Sequence, residues 1–500
     1  MSSPALSPLA RRLFPSITDF LFLGLLLTRL HPSLFYDGDT AWHLWAGARA
    51  LDSGPAAIAD PLSFTRAGEL WRSWQWVGEA LLALAYRHAG YMGVAVLCTT
   101  VFAAVFAWLY RALARETDHP PAAALASLLA AQVGLTYFLA RPALFSLPLF
   151  LGVWELVRKP GRERAAIIAV PLLTAVWANT HPSAFLAPAV AAFAAVTRPE
   201  ARGRLAIAAA ASAALLGATP WGYAWLGDLA PSGANLGFLL RIDEWRTPGF
   251  REPRFWGLLL YLLLALTARR GARPLSRGET LWGLGWLAAV LLSARLAPYA
   301  VLAWAPLLAR DLARLGAAPG PTAAAGAPAG PSAPARAWSA LSGALAPFER
   351  ALRPGLWPAA LGLVALLAAP AIGPLYPQVA RGFPPRRFPE QALAEAQRLG
   401  LGPRVFNAYL WGGYVSWQVP GRYRVFIDGR AGFFGDAALA DYLAVMELRP
   451  EWREALARAR PDWILVPPGT PIATAAPLTG AWRVVYRDGT AVVLAPASGP

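Results

Sequence analysis

The chain has 500 residues, of which 56% are hydrophobic and only 15% charged, with a formal net charge of +16. That balance, with many long uncharged runs, excludes an ordinary soluble enzyme. The basic residues are spaced between apolar segments rather than gathered in one aromatic-interleaved patch, which excludes a nucleic-acid partner.

Almost all the positive charge is arginine, Lys159 being the sole lysine. With abundant Ala, Gly and Pro, this reads as the coding bias of a GC-rich bacterium. Cys98 is the only cysteine, so no disulfide framework or cysteine-based zinc site is available within the chain.

Arg11 and Arg12 precede an apolar run over 17–30, read as an uncleaved signal anchor because no small-x-small site follows. Next comes FYDGDTAWHLWAGARALDS (35–53), with Asp37 and Asp39 on either side of Gly38. Asp39 is expected to cap a helix over 40–53 that Gly54 and Pro55 close. Ala41, Leu44, Trp45, Ala48 and Leu51 make an apolar side suited to a membrane interface. An acidic turn held at a membrane surface is a candidate catalytic loop.

A short helix over 77–88 should lead into a span at 91–110. Further apolar segments lie near 121–139, 143–157, 165–178, 183–197, 205–221, 255–268, 280–294, 296–309 and 355–376. The count is about eleven spans, several shorter than the roughly 20 residues a crossing needs. With the N-terminus inside, the arginine-rich loops near 111, 158–164, 198–204, 269–277 and 310–314 all fall on the cytoplasmic side. The acidic loop, the Arg141 turn, 179–182, the long segment 222–254 and 293–298 then fall outside, as does the C-terminal region.

The domain reading is a transmembrane unit over 1–315, with its first outer loop at 31–76. A low-complexity cytoplasmic linker over 316–354 follows, then a last span over 355–376. Residues 377–500 change character: strands near 404–406, 423–427, 463–466, 482–486 and 491–494 alternate with helices near 389–399, 437–446 and 451–458. The expected fold class is thus a polytopic α-helical membrane protein with a C-terminal extracytoplasmic α/β domain, in a bacterial inner membrane.

DGDTAWHL is followed by DPLSFT (60–65) and WQWVGEALLALAYR, and later by ARPALFS (140–146), WANTHPS (177–183) and IDEWRTP (242–248). Together these resemble bacterial members of the GT-C superfamily of membrane glycosyltransferases. The resemblance implies a polyprenyl-phosphate-linked sugar as donor and a catalytic acid in the first outer loop, here Asp37 or Asp39. A carboxylate there would take the proton of a poorly nucleophilic acceptor while the sugar C1 is attacked, with inversion. Of the two, Asp37 is favoured as base, because Asp39 has the capping job. The departing phosphate needs a cation, and Arg141 and Arg295 sit at outer helix ends where a lipid phosphate would lie.

His43, Asn179, His181, Glu244 and Trp245 are candidates for substrate contact. Asp37, Asp39 and His43 are candidates for a divalent ion such as Mg or Mn, since some relatives are metal-dependent. In the C-terminal region YLWGGY (409–414) resembles the acceptor-reading segment of the oligosaccharyltransferase branch, which makes Tyr414 a candidate. RVFIDGR (424–430) follows it, and Asp428 and Arg430 are candidates because they end an expected buried strand, where α/β folds tend to place functional groups. The aspartate of that branch's motif is absent, with Gly412 and Gly413 nearby, so peptide recognition is not implied. The acceptor is left as glycan, lipid or protein.

Two other classes compete. A non-catalytic relative would act as a scaffold or sugar-binding module. A transporter or flippase is disfavoured, because the apolar segments carry few ionisable groups near their middles.

Overall fold

The computed structural model describes residues 13–229, 245–270, 272–315, 332–352 and 356–497. It is largely helical, with one small sheet at the C-terminal end. Helix α1 (Ile17–Arg29) opens where the Asp19 carboxylate accepts from both the N–H and the hydroxyl of Ser16. Helix α2 (Asp39–Ser53) follows and ends at Gly54, whose φ of 78° suits glycine at a helix end. The short antiparallel pair β1 (Ile58–Ala59) and β2 (Leu70–Trp71) closes the first loop.

Helix α3 (Trp76–Thr117) is two limbs broken at Ala89 and Gly90, the expected short helix and span joined end to end. Gly90 has φ 57° and ψ −146°, a conformation that favours glycine and makes the break local. Then come α4 (Pro120–Gly134), α5 (Ser146–Arg158), α6 (Glu163–Ala178), α7 (Leu186–Thr197), α8 (Arg202–Leu215), α9 (Trp256–Ala268), α10 (Arg277–Leu292) and α11 (Ala297–Arg314). Each falls on an expected apolar segment.

Among the described residues, two helical stretches are long and apolar enough to cross a membrane, Trp76–Thr117 and Leu356–Leu375. Most of the other expected spans are shorter helices, 13 residues for α5 and 12 for α7. Their outward faces are nonetheless greasy. Ile168, Leu172 and Val176 on α6 are 67%, 59% and 52% exposed, and Leu292 on α10 is 77% exposed.

The arginines expected on the cytoplasmic side join one helix end to the next. Arg158 pairs with Glu116 at 2.8 Å, Arg198 with Glu163 at 2.5 Å, and Arg269 with Asp311 at 2.8 Å. Helix α12 (Ala333–Ala351) occupies much of what the sequence suggests is linker. It is docked, because the Trp338 indole donates to Leu312 O at 3.0 Å and Arg350 pairs with Asp118 at 3.0 Å. The rest of that linker, 316–331 and 353–354, lies outside the described residues.

Helix α13 (Leu356–Ile372) leads to the sheet domain: α14 (Glu390–Arg398), β3 (Arg404–Asn407), α15 (Gly412–Gln418), β4 (Arg424–Val425), α16 (Ala431–Glu447), α17 (Trp452–Ala459), β5 (Trp463–Val466), α18 (Pro471–Leu478), β6 (Trp482–Arg487) and β7 (Val492–Pro496). The strand order is β4-β3-β5-β7-β6, with β4-β3-β5 parallel and the rest antiparallel. All four residues of β5 are buried, as its unbroken WILV run requires.

The first loop completes the sheet. Ser63 bridges Val425 in parallel, Phe64 N–H donates to Val425 O at 3.1 Å, and Val425 N–H donates to Leu62 O at 2.9 Å. The β4 edge is therefore covered by the DPLSFT segment rather than left open. The C-terminal domain is tied to the first loop through backbone bonds.

That covering changes the character of α2. Trp42, His43, Ala46 and Gly47 are buried along with Ala41 and Leu44, so the helix is a core element rather than one lying flat at an interface. One side packs on α3, where a side chain at Gly47 would overlap the Glu79 backbone. The other meets α15.

Candidate active site

Three short segments share one pattern: HPSLF (31–35), RPALF (141–145) and HPSAF (181–185). Each folds into a 3-10 turn led by proline, after an extended residue with φ between −162° and −132°. Proline forces this, since it disfavours helical backbone at the residue before it and suits the first helical position itself. The elbows thus hold His31, Arg141 and His181 in the same local posture. Helix α2 and the first elbow anchor the second: Ala140 N–H donates to Leu34 O at 2.9 Å, and Thr40 Oγ1 donates to Ala140 O at 3.0 Å.

This delivers Arg141 to the acidic turn. Its Nη2 contacts Asp37 Oδ2 and lies 3.3 Å from Asp39 Oδ2. Asp37 also accepts the backbone N–H of Asp39 at 2.9 Å, so Asp37, not Asp39, supplies the capping bond to α2. Asp39 is the first helical residue, where its charge complements the helix dipole. The capping role expected of Asp39 thus falls to Asp37, which removes the ground on which Asp37 is preferred as base. The turn touches the sheet domain through glycines: a side chain at Gly38 would strike Leu410 O, and one at Gly429 would strike the Asp39 carboxylate.

His43 shares a 2.9 Å hydrogen bond from Nδ1 to Glu79 Oε1, and the other Glu79 oxygen contacts Ser73 Oγ. Both His43 and Glu79 are buried, and the Trp42 ring lies 3.6 Å from the His43 ring. The pair fixes the imidazole's orientation and leaves Nε2 for a ligand.

His181 is held differently. A backbone N–H can only donate, so Ser183 N–H at 3.2 Å makes His181 Nδ1 an acceptor and leaves the ring proton on Nε2. Ser183 Oγ continues the network, accepting from the Trp177 indole at 3.1 Å and lying 3.0 Å from the Tyr299 hydroxyl. Burial pushes the His181 pKa well below the usual value, aided by the nearby charges of Arg295, His43 and Arg141. The ring is a neutral hydrogen-bond donor. Arg295 sits 5.2 Å over the Trp245 ring, and Ala294 N–H donates to Arg246 O, which fastens this loop to the start of α11.

These groups open on one cavity of about 760 Å³, lined by Asp37, Asp39, His43, Arg141, His181 and Arg295, with Trp245 and Arg430 among its other walls. Two carboxylates and four guanidinium groups (Arg72, Arg141, Arg295 and Arg430) with two histidines suit a ligand that carries both an anion and hydroxyls.

Five expected site residues do other work or cannot be described. Asn179 is fully engaged in structure: it accepts from the Trp76 indole at 2.7 Å and donates to Ala175 O and Ala218 O, each at 2.8 Å. Asp428 is wholly buried in an ion triad in which Arg430 bonds Asp428 at 2.7 Å and Asp60 at 2.9 Å. Arg430 therefore reaches the cavity already neutralised, with Trp71 4.9 Å from its guanidinium. Tyr414 is buried against Phe383 and Phe388 and borders a separate, smaller cavity. Glu244 lies outside the described residues.

Asp37, Asp39 and His43 are not brought together as a ligand set. Among the described residues no three His, Cys, Asp or Glu side chains come together as ligands. Asp37 and Asp39 face an arginine, and His43 faces Glu79.

Glu79, Ser73 and Asp60 were not singled out from sequence. An acid at the start of an otherwise apolar helix is the signal that points to Glu79. Asp60 has no such signal, since its partner lies 370 positions away. No family model and no curated protein matches the chain.

Proposed function

We propose that the chain is an integral membrane glycosyltransferase of GT-C type. It transfers a sugar from a polyprenyl-phosphate donor to an acceptor on the extracytoplasmic face. One observation carries the reading: a single cavity draws residues from all five of the loops that positive-inside counting assigns to the outer face, and adds the C-terminal domain as a wall. Membrane residence is supported by the exposed Leu, Ile and Val side chains carried by α6, α9, α10 and α13.

In the reaction, the acceptor hydroxyl gives its proton to a first-loop carboxylate as its oxygen bonds to the sugar C1. The C1–O bond to phosphate breaks with inversion, and polyprenyl phosphate leaves with the electron pair. Asp39 is assigned as the base and Asp37 as the residue that holds the α2 backbone and Arg141. Arg141 and Arg295 take the negative charge growing on the leaving phosphate. When Arg141 turns to that phosphate, its hold on Asp39 weakens and the carboxylate becomes a better base. His181 Nε2–H and His43 Nε2 orient sugar hydroxyls.

The test is a transfer assay on the full chain in nanodiscs, supplied with polyprenyl-phosphate hexoses and bacterial envelope glycans. Wild type should form product, and Asp39→Asn should be slower by about 100-fold or more. An Asp39→Asn protein that inserts normally and turns over at the wild-type rate removes Asp39 from the chemistry.

A further inference from the structure

A second cavity, of about 420 Å³, is lined by residues of α2, α3 and α15. Its walls are aromatic: Trp45 from α2, Tyr86 and Tyr91 from either side of the α3 break, and Tyr414 and Trp417 from α15. The Trp417 indole donates to the Tyr91 hydroxyl at 2.9 Å, and the Tyr86 ring stands edge-on to both Tyr91 and Trp417. This sets the rings in fixed places rather than leaving them as loose anchors.

The polar content is small and specific. Ser416 lines the cavity, is 6% exposed, and its hydroxyl is buried without a partner. Buried hydroxyls are costly to leave unpaired, so this one points to a ligand group. Gln418 is exposed beside it, and Arg381 pairs with Glu390 at 2.7 Å on the rim. That pairing cancels the only guanidinium in the cavity, so the site does not select a phosphate or carboxylate. An isoprenoid chain would gain from the rings but would leave Ser416 unpaired. A ligand that offers C–H faces to rings and hydroxyls to amide and hydroxyl groups satisfies both, and that is an uncharged sugar ring.

The two cavities share elements. Trp42 lines the first and Trp45 the second, three residues on along α2, and the Trp71 ring lies 5.8 Å from one and 6.2 Å from the other. Leu410 lines the first and Tyr414 the second.

We propose that the second cavity binds a neutral saccharide unit of the acceptor, away from the reacting hydroxyl, so that the acceptor is a glycan of at least two units. The word acceptor rests on the transferase reading; the binding of a saccharide does not.

The experiment titrates the full chain in nanodiscs with maltose, cellobiose and N,N′-diacetylchitobiose, read by tryptophan fluorescence and calorimetry. At least one should saturate wild type, and Asp39→Asn should bind it equally. A Ser416→Ala/Gln418→Ala double variant, with unchanged circular dichroism and thermal unfolding, should bind about tenfold more weakly. Failure of all three disaccharides to bind, wild-type affinity in the double variant, or displacement by farnesol overturns the proposal, the last by identifying an isoprenoid site. Saccharide binding by a protein that transfers no sugar would defeat the transferase reading alone. Transfer without saccharide binding would defeat this one alone.

Discussion

The Asp37–Asp39 turn divides labour between two chemically identical side chains. The sequence favours Asp39 as the cap, but the backbone decides otherwise: Asp37 precedes the first helical N–H by two residues and closes an Asx turn on it. Two consequences separate the pair. Asp37→Asn keeps a capping oxygen, so it should lower stability little and reduce transfer modestly, whereas Asp39→Asn should abolish transfer with an unchanged melting temperature. Equal loss in both, measured in the same transfer assay, would mean that Arg141 pairing rather than base strength is what matters.

His181 carries a pH signature. Its folded pKa is depressed, so between the usual value near 6.5 and that lower value the unfolded chain binds a proton that the folded one does not. Stability therefore falls as pH drops below about 6.5, by up to about 1.4 kcal/mol per pH unit from this group. Thermal unfolding between pH 8 and 5 should show a steeper acid loss in wild type than in His181→Gln. His43 differs in kind, because Glu79 orients it. Glu79→Gln should leave donor binding near normal and lower turnover, and a loss in KM alone would reassign the pair to binding.

Ionisable groups in apolar surroundings stand out in a sequence, which is why Asp37, Asp39, His43, Arg141, His181 and Arg295 were legible and do converge. Their partners were not. Glu79 meets His43 across 36 positions, and Arg430 meets Asp60 across 370. Local pattern reading has no access to such pairs, so Asp428 and Arg430 resembled ligand-binding groups when they hold the fold together.

At the scale of elements, the apolar segments up to α11 located their helices to within a few residues, whereas α12 lies in the expected linker and α15 and α18 fall where no helix is expected. Helix α2 reads as amphipathic through Ala41, Leu44 and Trp45, yet its opposite side is buried because a domain from the end of the chain returns to cover it. The clamp between them is the Asp60–Arg430–Asp428 triad. Removing one member leaves an uncompensated buried charge, which costs about 3–5 kcal/mol. Arg430→Met should therefore lower the melting temperature sharply and expose the first loop to protease. Arg66→Ala, which cuts an exposed pair with Glu69 and bonds to Phe434 O, should do much less.

For the whole molecule, the account requires the cavity to open on one face and the arginine-linked helix ends to lie on the other. Cysteines at Ser33 and Gly489 should react with a membrane-impermeant thiol reagent in intact spheroplasts, and one at Arg164 should not. Reaction at Arg164 alone would turn the molecule over and place the cavity in the cytoplasm.

The central claim is sugar transfer by the first-loop carboxylate. Its most direct measurement is mass-spectrometric profiling of polyprenyl-phosphate sugars and envelope glycans in cells carrying the wild-type chain, no chain, or Asp39→Asn confirmed to insert. The account predicts that the donor accumulates and that one glycan loses a sugar in both the null and the variant. A variant profile matching wild type, alongside a changed null, would contradict it and leave the protein a sugar-binding scaffold.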